Sequence, residues 1–229
     1  MDWKAFWDRP NAIYVDERHR AAHYRGIADD LIALVPAPDA AVLDHGSGEA
    51  LDAERVAARC GRLYLLDAAP TVRAKLAERF AAIRSIAVLA PEDLAGLADR
   101  SLDLVVANSL LQYLSADELD LCLSAWRAKL RPSGRLVLAD VIPPNVSPVT
   151  DALALLRFAA REGFLGAALT GLARTAVSPY RKLRRELGLA MYSEGQMLDR
   201  LSEAGFRAFR SERNLGHNPA RMTFVASPA

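Results

Sequence analysis

The hydrophobic positions of the chain form short apolar runs that alternate with segments of helical periodicity. This alternation is typical of βαβ units and of a parallel sheet. The predicted parallel strands are, in chain order, 40–44, 63–67, 86–89, 102–107 and 136–142. The fourth of these strands is almost entirely apolar, which indicates burial on both faces. The predicted helices between the strands are 50–60, 71–82 and 115–130.

The last part of the chain predicts a helix followed by two strands. Ser193-Glu-Gly-Gln196 has the spacing of a capping box, which predicts a helix start, and Gly205 ends that helix. The strands that follow, 206–213 and 222–226, are joined by residues 214–219. This connection is too short for a parallel crossover, so we expect these two strands to be antiparallel.

A glycine-containing turn follows the first strand. The strand ends at Asp44, and Gly46-Ser47-Gly48 comes directly after it. Because glycine has no Cβ, the backbone of this turn can lie against a ligand. Asp67 ends the second strand, and its two carboxylate oxygens suit the adjacent hydroxyls of a ribose. An acid about 20 residues after such a turn belongs to the nucleotide-binding pattern of doubly wound sheets, so the expected ligand contains an adenosine.

Two adenosine-containing ligands compete for this turn, a dinucleotide and S-adenosylmethionine. The dinucleotide pattern G-x-G-x-x-G has its third glycine where this chain has Leu51, at a close helix–strand contact that disfavours leucine. The methyltransferase pattern has a small residue at the position of Ala50, as this chain does. Here the chain resembles the class I S-adenosylmethionine-dependent methyltransferases, of the small-molecule type found in quinone and natural-product biosynthesis. The resemblance covers residues 40–145 and 191–227.

The resemblance implies an α/β fold with a doubly wound, mostly parallel, seven-stranded sheet of strand order 3-2-1-4-5-7-6. It implies a single domain in four parts: a helical N-terminal segment at 1–38, a cofactor-binding core at 39–145, a helical insertion at 146–190, and a final helix with an antiparallel strand pair at 191–229. The implied cofactor is S-adenosylmethionine. The implied reaction is direct displacement on its methyl carbon by a small, apolar acceptor, without a metal.

The implied cofactor contacts follow the parallel strands, because ligands of open α/β sheets bind beyond the carboxyl ends of the strands. These residues are Asp44, Gly46, Ser47, Gly48, Asp67, Ala68, Glu92, Asp93 and Asn108. Glu92 and Asp93 equally suit a helix N-terminus, where carboxylates are favoured. The acid that the family commonly has two positions before Glu92 is replaced here by Ala90.

The resemblance also places acceptor-binding residues after the fourth strand, where Gln112 and Tyr113 are candidates. Tyr113 is a candidate catalytic residue as well, and a packing role fits it equally. Tyr180 in the insertion is the third candidate for acceptor binding. His217, between the last two strands, is the candidate general base because imidazole titrates near neutral pH. The alternative for His217 is a turn histidine bonded to the backbone.

The N-terminal helix is expected to cover the cofactor through Tyr14, Arg20 and Tyr24. His19 and His23 are four residues apart on this helix, a spacing that metal sites also use. The sequence offers no further ligand cluster to complete such a site, so we expect both histidines to face solvent.

The insertion at 146–190 combines apolar residues with a series of arginines and lysines. We interpret it as a helical lid over an apolar acceptor. A dimerisation surface and an amphipathic element resting on a membrane surface are the alternatives, with membrane contact the less favoured. The three interpretations do not exclude one another.

Composition narrows the possible settings and partners. The 229 residues with 52% apolar content can form a full core, and the net charge of +1 disfavours a general nucleic-acid binder. Cys60 and Cys122 show no disulfide pattern and the N-terminus has no secretion signal, which together predict a cytoplasmic protein. Two other functions fit the same residues: an NAD-dependent oxidoreductase on a related sheet, and a non-catalytic S-adenosylmethionine-binding protein.

Overall fold

The computed structural model describes residues 3–8, 14–175 and 188–229. The strands of this part of the chain are β1 (Ala41–His45), β2 (Arg62–Leu66), β3 (Ile86–Leu89), β4 (Leu102–Asn108), β5 (Leu130–Val141), β6 (Phe206–Arg210) and β7 (Met222–Pro228). They form a seven-stranded sheet of order β3-β2-β1-β4-β5-β7-β6. Strands β1 to β5 are parallel to one another. Strand β7 is antiparallel to both of its neighbours, β5 and β6. The predicted strand order and the antiparallel pair are confirmed.

Helices pack on both faces of the sheet. Those described are α1 (Trp3–Trp7), α2 (Glu17–Leu34), α3 (Ala53–Ala57), α4 (Pro70–Arg79), α5 (Ala116–Lys129), α6 (Pro148–Glu162), α7 (Leu165–Thr175) and α8 (Glu194–Glu203). Val105 and Val106 of β4 point to opposite faces of the sheet and both are fully buried. One face packs against α5 and α8, and the other packs against α2, α3 and α4. The sheet is therefore buried on both sides, as the almost entirely apolar sequence of β4 predicts.

Several element boundaries differ from the prediction, among them those of α3, β5 and β6. Helix α3 spans only Ala53–Ala57, because the chain first completes a turn in which Ala50 has a φ of 40°. Strand β5 starts at Leu130 and not at residue 136, since Leu130 already pairs with Leu102 of β4. Strand β6 ends at Arg210, three residues before its predicted end.

Helix α2 joins the sheet to the insertion. Ala28 and Leu31 of α2 pack on the sheet, whereas Ala22 packs with Phe158 and Phe164 of the insertion. The insertion is helical in α6 and α7, as predicted. Tyr180, the predicted acceptor contact of the insertion, lies outside the described residues.

Among the residues that the structure describes, none of the helices combines the length and the apolarity that a membrane crossing requires.

Candidate functional site

The turn after β1 requires glycine at two positions. Gly46 and Gly48 have φ values of 81° and 56°, in the left-handed region that favours glycine. A Cβ at Gly48 would lie 2.9 Å from the hydroxyl of Tyr24, and one at Gly46 would lie 3.2 Å from the side chain of Leu110. The Gly46 amide donates to the carbonyl oxygen of Leu66 at 2.7 Å, which ties the turn to the end of β2.

Tyr24 of α2 and Leu110 after β4 lie directly against this turn. The Tyr24 hydroxyl accepts a hydrogen bond from the Glu49 amide at 3.0 Å and is also hydrogen-bonded to Tyr14. The sequence predicts a covering role for both tyrosines. Tyr24 lies on α2 against the turn, and Tyr14, which precedes α2, contacts Tyr24 with ring centroids 5.9 Å apart. Tyr24 and Leu110 therefore cover the Cα atoms of Gly48 and Gly46 on one side of the turn.

Asp67 faces the glycine turn from the end of β2. Its Oδ2 accepts a hydrogen bond from the Gly48 amide at 3.0 Å, and its Oδ1 accepts one from the Ala69 amide at 2.8 Å. A carboxylate oxygen has capacity for a further donor, so these two bonds orient Asp67 without saturating it. Neighbouring Ala68 is exposed, and its carbonyl oxygen accepts a hydrogen bond from Arg73.

Buried polar atoms converge at the carboxyl ends of β1 and β4. Asp44 is buried, and this burial, with a smaller effect of the Asp67 charge, raises the pKa of Asp44 to about 7. The Ser47 hydroxyl, the Asn108 Oδ1 and the Gln112 Oε1 are buried without a hydrogen-bond partner. Native proteins rarely leave such atoms unpaired, so this edge of the sheet suits a ligand with several polar groups.

Glu92 and Asp93 lie in the 3₁₀ helix that follows β3, Pro91–Gly96, and both side chains are exposed. The Oδ2 of Asp93 accepts a hydrogen bond from the Ala90 amide at 2.8 Å and so caps this short helix. Contact of either carboxylate with the adenine stays a prediction.

Tyr113 packs beneath helix α1. Its ring centroid lies 4.7 Å from that of Trp3 and 5.5 Å from that of Trp7. Tyr113 belongs to the 3₁₀ helix Leu111–Tyr113, directly after β4 and next to Gln112. A packing role is therefore present, and the predicted roles of Tyr113 and Gln112 toward an acceptor stay predictions.

His217 lies among aromatic rings contributed by α2 and the insertion. Its ring stacks on Phe158 with centroids 4.5 Å apart, and it lies 6.5 Å from His19 and 6.4 Å from His23. Burial is the main cause that lowers the pKa of His217 to about 4, and neighbouring positive charges add to it. The imidazole is therefore neutral at neutral pH and can accept a proton.

The prediction that His19 and His23 face solvent is wrong. His19 is buried, stacks on Phe164 at 4.9 Å, and accepts a hydrogen bond at Nδ1 from the Val15 amide. His23 contacts Tyr14 at 5.5 Å, and burial lowers its pKa to about 3. The insertion packs on this side of α2, and the periodicity of α2 does not reveal that contact.

Within the described part of the chain, no three or more His, Cys, Asp or Glu side chains are grouped so that they could hold a metal ion.

The loop that carries His217 is held by carboxylates from two helices. Asp30 of α2 accepts a hydrogen bond from the Gly216 amide at 2.7 Å. Asp151 of α6 accepts two bonds from Nη2 of Arg221, both of 2.8 Å. The position of His217 therefore depends on both α2 and the insertion.

A partly buried hydrogen bond joins the carboxyl ends of β4 and β5. Ser109 Oγ donates to Asp140 Oδ2 at 2.7 Å, and the two residues have φ values of 54° and 58°. The Asp140 amide donates to Asn214 Oδ1 at 3.1 Å, and burial raises the pKa of Asp140. Asp140 is not among the residues predicted from the sequence, although its place at the end of the fifth parallel strand is a signal for a ligand-binding position.

Comparison with known proteins gives one family match and several similar folds. Residues 43–138 match the family described as a methyltransferase domain. The fold is similar to that of the DhpI–SAH complex, with a TM-score of 0.61 and 15% identity, covering 99% of this chain and 95% of that chain. It is similar to magnesium protoporphyrin IX methyltransferase (ChlM) from Synechocystis PCC 6803 with bound SAH, with a TM-score of 0.58 and 16% identity, covering 99% and 93%. The YcgJ protein from Bacillus subtilis has a TM-score of 0.58 and 13% identity, covering 81% and 70%.

A search of curated proteins finds no matching sequence. The domain match and the strand order agree with each other and with the glycine turn. Residues 43–138 thus match a methyltransferase-domain family, and the fold is similar to that of solved methyltransferase structures, some of which contain bound SAH or SAM.

Proposed function

We propose that the protein transfers the methyl group of S-adenosylmethionine to a small, apolar acceptor by direct displacement. One observation carries the proposal: the glycine turn, the Asp67 carboxylate and the unpaired oxygens of Ser47 and Asn108 meet at one edge of the sheet of a methyltransferase domain. When bound, the cofactor supplies an activated methyl group on a positively charged leaving group. The protein needs no covalent nucleophile of its own.

The residues at the glycine turn have distinct proposed roles in binding the cofactor. The backbone at 46–48 lies against its methionine part, and Asp67 accepts hydrogen bonds from the two ribose hydroxyls. Asp44 supplies a negative charge near the cationic groups once it is ionised, which occurs above its pKa of about 7. Glu92 and Asp93 lie at the end of β3, the side proposed for the adenine.

The main contribution of the chain to the reaction is alignment and the exclusion of water. Holding two reactants in line can lower a barrier by up to ~7–11 kcal/mol in favourable cases. Tyr24 covers the glycine turn, and Phe158 and Phe164 of the insertion supply apolar surface next to His217. These contacts support the interpretation of α2 and the insertion as a cover over cofactor and acceptor.

His217 is proposed to accept the proton of a hydroxyl or ammonium acceptor. Its pKa of about 4 makes it a weak base that is unprotonated at neutral pH. An oxygen or nitrogen becomes more acidic as it bonds the methyl carbon, so a weak base is sufficient late in the reaction.

Cofactor binding is tested by replacing the ribose-binding carboxylate. Asp67→Ala should weaken binding of S-adenosylhomocysteine at least about tenfold, because each lost hydrogen bond to a charged group is worth about 1.5–3 kcal/mol. The measurement is a calorimetric titration, with thermal unfolding to confirm that the variant is folded. Asp199→Ala, an exposed position on α8, is the matched control and should bind like the wild type. Equal affinities of the Asp67 variant and the wild type would contradict the assignment.

The proposed base is tested by measuring turnover. An acceptor is first found by screening aromatic alcohols, amines and enols for release of S-adenosylhomocysteine, and kcat is then measured with that acceptor. His217→Gln should lower kcat by about 10²-fold, the usual size of a general-base contribution, and leave binding of S-adenosylhomocysteine unchanged. If kcat is unchanged, His217 has the structural role of a turn histidine.

The same titrations separate the two rival functions. Binding of NADH without binding of S-adenosylhomocysteine would support the oxidoreductase. Tight binding of S-adenosylhomocysteine with no methyl transfer to any acceptor of the panel would support a non-catalytic binding protein.

A further inference from the structure

Arg221 places a guanidinium at the ligand-bearing edge of the sheet. It precedes Met222, which pairs with Val141 at the carboxyl end of β5. The position of Arg221 is therefore just beyond that strand end. The side chain is only 9% exposed.

The guanidinium is only partly hydrogen-bonded. Nη2 donates to both carboxylate oxygens of Asp151 at 2.8 Å. Nε and Nη1 are buried and have no hydrogen-bond partner. Arginine carries five N–H donors, and a buried donor without a partner destabilises the fold. An arrangement of this kind calls for an oxygen acceptor that comes from outside the chain.

The neighbours of Arg221 belong to the acceptor side of the site. The Arg221 charge acts on His217, where it helps to lower the imidazole pKa, and on Asp140, where it opposes the rise in pKa caused by burial. His217 in turn stacks on Phe158 of the insertion. The unpaired donors thus lie near the proposed base and near an apolar wall.

The charges around Arg221 favour a neutral partner. Asp151 already forms an ion pair with the guanidinium, and Asp140 is a second carboxyl group nearby. Another anion would bring an excess of negative charge into a buried site, which is costly. Nε and Nη1 of Arg221 therefore need a hydrogen-bond acceptor that carries no negative charge.

We propose that Nε and Nη1 of Arg221 bind a neutral carbonyl oxygen of the methyl acceptor, whose apolar body lies against Phe158. Arg221 is then a specificity-determining residue that selects carbonyl compounds over plain hydrocarbons and over carboxylates. This inference rests on the proposed methyl transfer and names the class of its acceptor.

Three probes of similar size and different oxygen content test the assignment: acetophenone, benzoate and ethylbenzene. Their dissociation constants are measured by ligand-observed NMR on the protein saturated with S-adenosylhomocysteine. Acetophenone should bind about tenfold more tightly than ethylbenzene, and benzoate should bind more weakly than acetophenone. Arg221→Met should remove the preference for acetophenone over ethylbenzene. Arg210→Met, which removes an exposed arginine paired with Glu194, should keep that preference.

A second variant keeps the test decisive if Arg221→Met is poorly folded. Asp151→Asn retains the guanidinium and removes its counter-charge, so benzoate should gain affinity relative to acetophenone. If Arg221 only braces α6, both variants will lower the melting temperature and leave the order of the three probes unchanged, which overturns the inference. A wild type that prefers benzoate, or binds the three probes equally, overturns it too.

The cofactor titration distinguishes this failure from failure of the proposed function. A wild type that does not bind S-adenosylhomocysteine refutes methyl transfer. A wild type that binds S-adenosylhomocysteine and does not discriminate among the probes refutes only the role of Arg221.

Discussion

Asp44 and Asp67 bring two carboxylates to one glycine turn in different environments. Burial raises the pKa of both. In Asp67 the amides of Gly48 and Ala69 oppose this rise, because they donate hydrogen bonds to the ionised form. Asp44 reaches a pKa of about 7 and therefore changes its charge in the physiological range.

The titration of Asp44 predicts a pH dependence of cofactor binding. A carboxyl group with a pKa of about 7 is neutral below that pH and negative above it, so affinity for the cationic S-adenosylmethionine should rise between pH 6 and pH 8. The rise is at most about tenfold per pH unit on the acid side of the pKa. Calorimetric titration at several pH values measures it. Asp44→Asn should give a flat profile over this range, and a profile with the same slope in the variant would assign the dependence to another group.

For single residues, the sequence predicts the part of the site that neighbouring segments of the chain form. Gly46, Gly48 and Asp67 lie where the motif predicts, because a strand, a tight turn and the next strand end fix their positions. The burial of His19 and the unpaired donors of Arg221 were not predicted. They depend on packing against α6, which is far from both residues in sequence, and no local pattern encodes such a contact.

Helix α2 is the element that connects the cofactor turn to the insertion. Tyr24 reaches the glycine turn, and Ala22 packs with Phe158 and Phe164 of the insertion. A movement of α2 that uncovers the turn therefore disturbs the packing next to His217 as well. The cofactor and acceptor parts of the site share one cover.

Removal of the Tyr24 hydroxyl should make this cover open more often. Tyr24→Phe loses the hydrogen bond from the Glu49 amide, worth about 0.5–1.5 kcal/mol, which predicts roughly 2- to 10-fold faster association of S-adenosylhomocysteine. Stopped-flow fluorescence measures the rate constant. Tyr64→Phe on β2 removes a hydroxyl elsewhere and serves as the control. An unchanged association rate in Tyr24→Phe would show that Tyr24 does not limit entry.

The sequence predicts most strands and helices correctly, and one of its boundary errors occurs where a tertiary contact sets the start of a strand. Strand β3 spans Ile86–Leu89 as predicted, and it pairs with β2 at the edge of the sheet. Strand β5 extends back to Leu130 because it finds a partner in Leu102, and this pairing does not depend on hydrophobicity alone.

The insertion also has an outer face that is partly apolar. Leu153 of α6 and Leu169 of α7 are 48% and 55% exposed. Val149 and Leu165 are exposed as well. Exposed Arg157 lies on the same helix as Leu153. A lid over the acceptor uses only the inner face of the insertion. The exposed apolar residues on the outer face fit a dimer contact or a membrane contact, and both stay predictions alongside the lid.

All four histidines of the chain are held in environments that favour the neutral imidazole. Burial is the main cause that lowers the pKa of each: His19, His23, His45 and His217. His45 in addition accepts a hydrogen bond at Nδ1 from the Trp126 indole, which a protonated Nδ1 cannot do. Acid should therefore destabilise the whole fold through these residues, while Asp44, Asp67 and Asp140, whose pKa values are raised, act in the opposite direction.

A comparison of wild type with His217→Gln isolates one histidine from these opposing groups. Between pH 6.5 and pH 4 the unfolded wild type binds a proton at residue 217 that the folded protein does not, so its free energy of unfolding falls as the pH is lowered. The variant has no titrating group at this position. As the pH is lowered, the unfolding free energy of the wild type should therefore fall relative to that of the variant, by at most about 1.4 kcal/mol per pH unit. Urea unfolding at pH 8, 7, 6, 5 and 4.5 measures this difference. It should be constant from pH 8 to pH 7, where both states are neutral at this position. A difference that stays constant down to pH 4.5 would mean that His217 titrates normally, and that the aromatic pocket built by α2 and the insertion is open to water.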